Sequence, residues 1–244
     1  MKFVEFFDRI YVVNLPHRVD RLRKMEQELA QAGMPFEAGK VEVFAAIKPD
    51  NPEPFTSIGY KGCFLSHLAI LKQARELQLQ NVLILEDDLK LLETFVNYEA
   101  QVVNQLQQTH WDIVYFGYGC PTPIVVPEVL PSFQSCPREV FEMHMYAVNH
   151  HIFDRLINFL EAMLERPHGH ILCGPIPYDG AINVFHWQNL DIARLITIPA
   201  LGVQRGASSD INPRWLDRLP VLGSAVAIAR DLGIAKNLKK LVSQ

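Results

Sequence analysis

The chain has 244 residues, of which 49% are hydrophobic and 20% charged. That is enough apolar material for one large α/β domain, or a domain with an appendage, and the composition is not that of a disordered chain. A net charge of −4 and a pI near 6.1 give no whole-chain reason to expect nucleic acid as a partner.

Residues 1–9 carry Glu5 and Asp8 within their apolar part and do not read as a secretory signal. Residues 10–15 form a first apolar strand, stopped by Pro16. Residues 18–33 read as a charged amphipathic helix with Leu22, Met25 and Leu29 on one side and Gly33 as its stop. A short strand at 41–46 is followed by a loop at 48–57 that holds Pro49, Pro52 and Pro54. Residues 62–78 read as a helix. A strand follows and ends in Glu86, Asp87 and Asp88; next come a helix at 94–108 and a strand at 111–116. Strand–helix alternation of this kind predicts a mostly parallel, Rossmann-like sheet flanked by helices, with right-handed crossovers.

Residues 121–137 hold Pro121, Pro123, Pro127, Pro131 and Pro137 and read as an excursion outside the core. A strand at 141–148, a helix at 150–165, a loop at 166–177, a short helix at 178–187 and a strand at 192–198 complete the body. The expected division is a domain over 1–211 and a helical tail over 212–244. The tail helix at 225–241 ends basic with Lys236, Lys239 and Lys240. Those lysines suit a helix C-terminus, or a peripheral contact with a membrane surface. No apolar run of about eighteen residues occurs, so no spanning helix is expected. Cys63, Cys120, Cys136 and Cys173 are widely spaced with no CxxC pair, which points to unbridged thiols and a cytoplasmic setting.

The most informative stretch is the strand that ends in Glu86–Asp87–Asp88. Its apolar run, Val82–Leu83–Ile84–Leu85, is that of a strand buried on both faces. Three adjacent carboxylates repel one another unless a cation neutralises them. Ligands of open α/β sheets bind at the carboxyl ends of the strands. A hard cation such as Mn²⁺ or Mg²⁺, held by one or two carboxylates and by substrate phosphate, fits that position. If the strand persists, Glu86 and Asp88 share a face and Asp87 points elsewhere. One acid can then hold the metal while others hold hydroxyls.

Other residues read less sharply. Arg18 and Arg21, three apart after the first strand, either grip a diphosphate or lie on an exposed helix face with Asp20 and Arg23. Gly59 and Gly62 stand at an expected loop–helix junction, where backbone can approach an anion. Ser66 and His67 are adjacent in a helix and so do not face each other as a hydrolase pair. His144 and Tyr146 share a face of their strand. Asp179, at a helix start after Pro177, is either an N-cap or a general base delivered by a loop. Gln204 and residues 208–211 form a late polar cluster.

Taken together these pieces resemble glycosyltransferase family 25, which includes lipooligosaccharide and collagen hydroxylysine galactosyltransferases. The first strand with Arg18 and Arg21 is similar to the family's strand and R-x-x-R. Gly62–Cys63 with Ser66–His67 is similar to its G-C-x-x-S-H element, and Glu86–Asp87–Asp88 to its acidic motif. Looser similarities are Pro177–Tyr178–Asp179 and Gln204 through Ser209–Asp210–Ile211. The resemblance implies a GT-A-like fold and an inverting, metal-dependent transfer of galactose from UDP-galactose to a glycan such as lipooligosaccharide. It implies Asp88 as metal ligand and Asp179 as base. Asn14, Arg18, Arg21, Gly62, Ser66, His67, Glu86, Asp87, Gln204, Ser209 and Asp210 would hold the donor. Such an enzyme would work in the cytoplasm, with its tail at the inner membrane face. The alternatives are a non-catalytic nucleotide-sugar or glycan-binding protein and a metal-dependent phosphoesterase.

Overall fold

The computed structural model describes residues 1–121, 124–136 and 139–205. Ser209, Asp210 and the expected tail helix lie outside the described residues. The strands are β1 (Arg9–Asn14), β2 (Val41–Ala45), β3 (Asn81–Glu86), β4 (Leu89–Leu91), β5 (Ile113–Gly119), β6 (Ser132–Ser135), β7 (Phe141–Asn149), β8 (Arg194–Ile198) and β9 (Gly202–Gln204). The helices are α1 (Phe3–Phe6), α2 (Val19–Gln31), α3 (Ile58–Glu76), α4 (Glu93–Gln108), α5 (Phe153–Glu165) and α6 (Tyr178–Gln188).

Seven strands form the main sheet, in the order β2-β1-β3-β7-β5-β8-β6. Strands β1, β2, β3, β5 and β8 run one way and β6 and β7 the other. The architecture is therefore mixed α/β with a mostly parallel sheet. The reversal at β7 has a simple cause. Among the described residues the segment between β5 and β7 holds β6 and no helix, and Phe141 pairs with Gly119. Strand β7 thus starts beside the end of β5, which makes the pair antiparallel.

Each face of the sheet has its own core. Val82 and Ile84 of β3 join one, with Phe64 and Leu68 of α3, Leu156 and Leu160 of α5, and Phe185 of α6. Leu83 and Leu85 join the other, with Phe3 of α1, Met25 and Leu29 of α2, and Phe95 and Val102 of α4. The strand is buried on both sides, as its unbroken apolar run requires.

Three expectations are corrected. Helix α3 begins at Ile58, not Gly62, because Ser57 caps it and accepts a hydrogen bond from Tyr60 N at 3.1 Å. Gly62 thus lies inside the helix, and the close approach it permits is to Ile47, whose carbonyl oxygen would sit 2.5 Å from an added Cβ. Strand β3 ends at Glu86, so Asp87 and Asp88 sit in the turn before β4 and do not alternate along a strand. The proline-rich stretch contributes β6, an edge strand of the main sheet paired with β8. Prolines are tolerated at a sheet edge, where one side of the strand needs no partner.

Beyond the main sheet, β4 and β9 form an antiparallel pair in which Leu89 faces Gln204. This pair delivers the late Gln204–Arg205 segment to the acidic turn. Arg205 N donates to Asp88 O at 2.6 Å and Arg205 Nε to Leu89 O at 3.0 Å, while its guanidinium pairs with Glu28 of α2.

Candidate active site

A cleft of about 310 Å³ opens at the carboxyl ends of β1, β2 and β3. It lies at the carboxyl ends of adjacent parallel strands, where α2 after β1 and α3 after β2 pack on opposite faces of the sheet, the usual ligand position in open α/β folds. Glu86, Asp87, Asp88, Arg21, Gly62, Ser66, His67 and Gln204 line it. Asn14, Arg18 and Asp179 are not among the lining residues.

The three acids have distinct environments. Asp87 is held from two sides. Arg21 Nη1 donates to its Oδ1 at 2.6 Å and Asn14 Nδ2 to its Oδ2 at 2.8 Å. Burial pushes its pKa up while Arg21 and Asn14 act to hold it down. Asn14 is thus one layer behind the cleft, fixing the central acid. Asp88 is 5% exposed. Its Oδ2 takes Gln204 Nε2 at 3.2 Å and lies 3.3 Å from Arg21 Nη1. Its Oδ1 is buried with no hydrogen-bond partner among the described residues. Glu86 faces the cleft beside His67, and burial, then Asp88, Asp87 and Asp179, push its pKa well above the carboxylate range.

Arg21 therefore spends its guanidinium on Asp87 and Asp88. Arg18 pairs with Asp20 through two hydrogen bonds of 3.0 and 3.1 Å, and begins α2 as its N-cap residue. Ser66 Oγ donates to Gly62 O at 2.6 Å and accepts from Ile47 N at 2.8 Å, which ties α3 to the loop after β2. His67 Nδ1 meets Tyr146 Oη at 2.7 Å, and its pKa is pulled down to about 3 by burial, so the ring is neutral. Asp179 sits in the first turn of α6, and its Oδ1 accepts from Gly180 N at 2.8 Å; Pro177 is the N-cap residue. The field of Asp179 reaches both Glu86 and Cys63.

Two residues of the cleft, His17 and Lys48, stand outside the motifs. Both line its mouth. They stand just past the ends of β1 and β2, so position at a strand's carboxyl end was the signal that could have found them. Cys63 also lines the cleft, four residues before His67 on one helix face; that spacing was legible in the sequence. Tyr178, which takes a hydrogen bond from Tyr146 at 3.0 Å, completes a buried chain behind His67.

The acid set suits a hard divalent cation. It offers carboxylate oxygen only, and one buried carboxylate oxygen of Asp88 has spare acceptor capacity.

Residues 7–119 match a family described as glycosyltransferase family 25 (LPS biosynthesis protein). Over these residues the chain is similar to glycosyltransferase family 25. A "Glycosyltransferase 25 family member" of Drosophila melanogaster is 32% identical over an alignment of 127 residues that covers 45% of this chain and 21% of that protein. "Procollagen galactosyltransferase 1" of Danio rerio is 33% identical over an alignment of 130 residues that covers 46% of this chain and 21% of that protein. The chain thus spans about a fifth of the length of these curated relatives. Among solved structures, a glycosyltransferase involved in the glycosylation of the major capsid of PBCV-1 superposes with a TM-score of 0.52 and 12% identity. The superposition covers 82% of this chain and 94% of that one, a likeness of fold. The family match holds the first-strand, Gly62–His67 and acidic elements; Asp179 and Gln204 lie beyond it.

Proposed function

We propose that this chain is an inverting glycosyltransferase that moves a hexose from a nucleotide sugar to a glycan acceptor, with galactose from UDP-galactose as donor. The carrying observation is the acid-tipped end of β3. It places Glu86, Asp87 and Asp88 in a cleft at the sheet's carboxyl edge, with one buried oxygen of Asp88 unpartnered among the described residues. The name of the Danio rerio relative favours galactose. The family description favours a lipopolysaccharide-type acceptor, and with it lipooligosaccharide.

In this reading Asp88 holds Mn²⁺ or Mg²⁺. The cation supplies Lewis-acid stabilisation of the charge that grows on departing UDP. Arg21 and Asn14 lock Asp87 in place, so Asp87 presents fixed oxygens to ribose or sugar hydroxyls, with the Glu86 carboxylate beside it. Lys48 and His17 meet the diphosphate at the mouth. Asp179 takes the proton of the acceptor hydroxyl as that oxygen bonds to the anomeric carbon; the bond to UDP breaks on the opposite face and the centre inverts. Ser209 and Asp210 belong to the donor set in this proposal. The work takes place in the cytoplasm, with the basic tail as a peripheral contact to the inner membrane face. No helix among the described residues is long and apolar enough to cross a membrane.

The test is transfer from UDP-galactose with Mn²⁺ to a panel of truncated lipooligosaccharides, read as UDP release and as a mass shift of the acceptor. Product that disappears on chelation and in Asp88→Ala supports the proposal. Tight UDP binding with no turnover on any acceptor would point instead to a glycan- or nucleotide-sugar-binding protein.

A further inference from the structure

We propose that Cys63, His67 and Glu86 form a binding site for a borderline-soft divalent cation of the zinc type, separate from the hard-cation position at Asp88. A sulfur of Cys63, a ring nitrogen of His67 and a carboxylate oxygen of Glu86 all lie within 4.8 Å of one another. Ligand atoms around one tetrahedral zinc ion sit about 3.5 Å apart, given bonds of about 2.0–2.3 Å. Small side-chain movements close that gap. Cys63 and His67 are four residues apart on the unbroken helix α3 and project from one face. Glu86 comes from the end of β3.

The hydrogen-bond chain behind His67 prepares it as a ligand. Tyr146 Oη lies 2.7 Å from His67 Nδ1 and 3.0 Å from Tyr178 Oη, so this chain engages Nδ1 and leaves Nε2 to the cleft side. With a metal on Nε2, His67 would carry its proton on Nδ1 and donate it to Tyr146 Oη. That Nε2 faces Glu86 Oε1 at 4.0 Å, beyond hydrogen-bond reach. Zinc-bound imidazoles commonly donate their other N–H to a fixed acceptor in this way. The ring is also clamped by stacking against Tyr178, with centroids 4.5 Å apart and planes 23° apart.

The donor set decides the metal. Thiolate, imidazole and carboxylate suit zinc, whereas magnesium and manganese prefer all-oxygen surroundings. Three protein ligands leave a fourth position, which opens on the cleft that all three residues line. On binding, the Cys63 thiol releases its proton to solvent and the sulfur bonds to the metal; no redox change occurs.

The experiment titrates the full chain with Co²⁺, a spectroscopic stand-in for Zn²⁺, while recording absorption and proton release. The expected result is one equivalent bound with a thiolate-to-cobalt charge-transfer band, bleached by Zn²⁺ and left in place by equimolar Mn²⁺. Cys63→Ser should abolish the band, whereas Cys120→Ser and Cys173→Ser should retain it. Tyr146→Phe, which keeps the ring and removes the acceptor, should weaken binding roughly tenfold or more. No thiolate band in the wild-type chain, an unaltered band in Cys63→Ser, or displacement by equimolar Mn²⁺ would each overturn the proposal.

Discussion

Arg21 donates to Asp87 across 2.6 Å inside the cleft, and both side chains are only 10% exposed. The same guanidinium nitrogen lies 3.3 Å from Asp88, so one cation serves two buried acids. Removing it strands both carboxylates. Arg21→Met should lower stability by about 3–5 kcal/mol, the usual consequence of breaking a buried pair. Urea unfolding measures it. Added Mn²⁺ should recover part of the loss in Arg21→Met, and should do so less when Asp88→Ala is combined with it. A loss within about 0.5 kcal/mol would show that solvent already screens the acids.

Asp88 and Asp179 should separate cleanly in kinetics and binding. Asp88→Ala removes the proposed cation ligand, so UDP should no longer raise the melting temperature in the presence of Mn²⁺, and transfer should fall by roughly 100-fold or more. Asp179→Asn leaves Asp87, Asp88 and Arg21 in place. UDP stabilisation should persist while transfer falls by about 10²–10⁴-fold, the range of a lost general base. If Asp179→Asn transferred sugar normally, the base would have to be sought elsewhere in the cleft.

The fold was legible where a local pattern is sufficient. The apolar run 82–85 admits little except a strand buried on two faces, and the structure gives each alternate residue to a different core. Long-range hydrogen bonding was not legible. Asp88 meets Gln204 across 116 positions of sequence, and the pairing of β4 with β9 that brings them together rests on a three-residue strand at each side. The placement of Ser66 shows the same limit. The resemblance implied a donor contact for Ser66; the residue lines the cleft, and its hydroxyl also ties Gly62 to Ile47, in a loop that only the tertiary fold brings near. Cys63 is the opposite case: its spacing from His67 was visible, and only the arrival of Glu86 from β3 turns it into a cluster.

Gly62 tests the packing of α3 against that loop. An added Cβ would stand 2.5 Å from Ile47 O and 3.3 Å from Pro49 Cδ. Backbone cannot rotate away as a flexible side chain would. Gly62→Ala should therefore destabilise the chain by about 1–3 kcal/mol, despite alanine's better helix propensity. Because Ile47 and Lys48 border the cleft, donor affinity should weaken in parallel. Urea unfolding and UDP titration of the same variant check the two effects together.

His144 gives a pH dependence whose direction follows from its surroundings. The ring is 2% exposed and its Nε2 donates to Gly202 O at 3.2 Å. Gly117 makes room for it, since an added Cβ there would lie 2.6 Å from His144 Cδ2. Burial pulls its pKa below the ordinary 6.5; the backbones of Gly202 and Glu142 and the charges of Asp88 and Glu142 pull the other way without reversing it. The unfolded chain therefore binds a proton here more readily than the folded one. Stability on this account is full above pH of about 6.5 and is lost as pH falls toward the depressed folded value. His67 and His186, also shifted down by burial, add to the same slope. His144→Gln keeps a donor for Gly202 and cannot titrate. Its unfolding midpoint in urea should fall less than that of the wild type between pH of about 7 and 5, and an unchanged slope would place the acid sensitivity in the other two histidines.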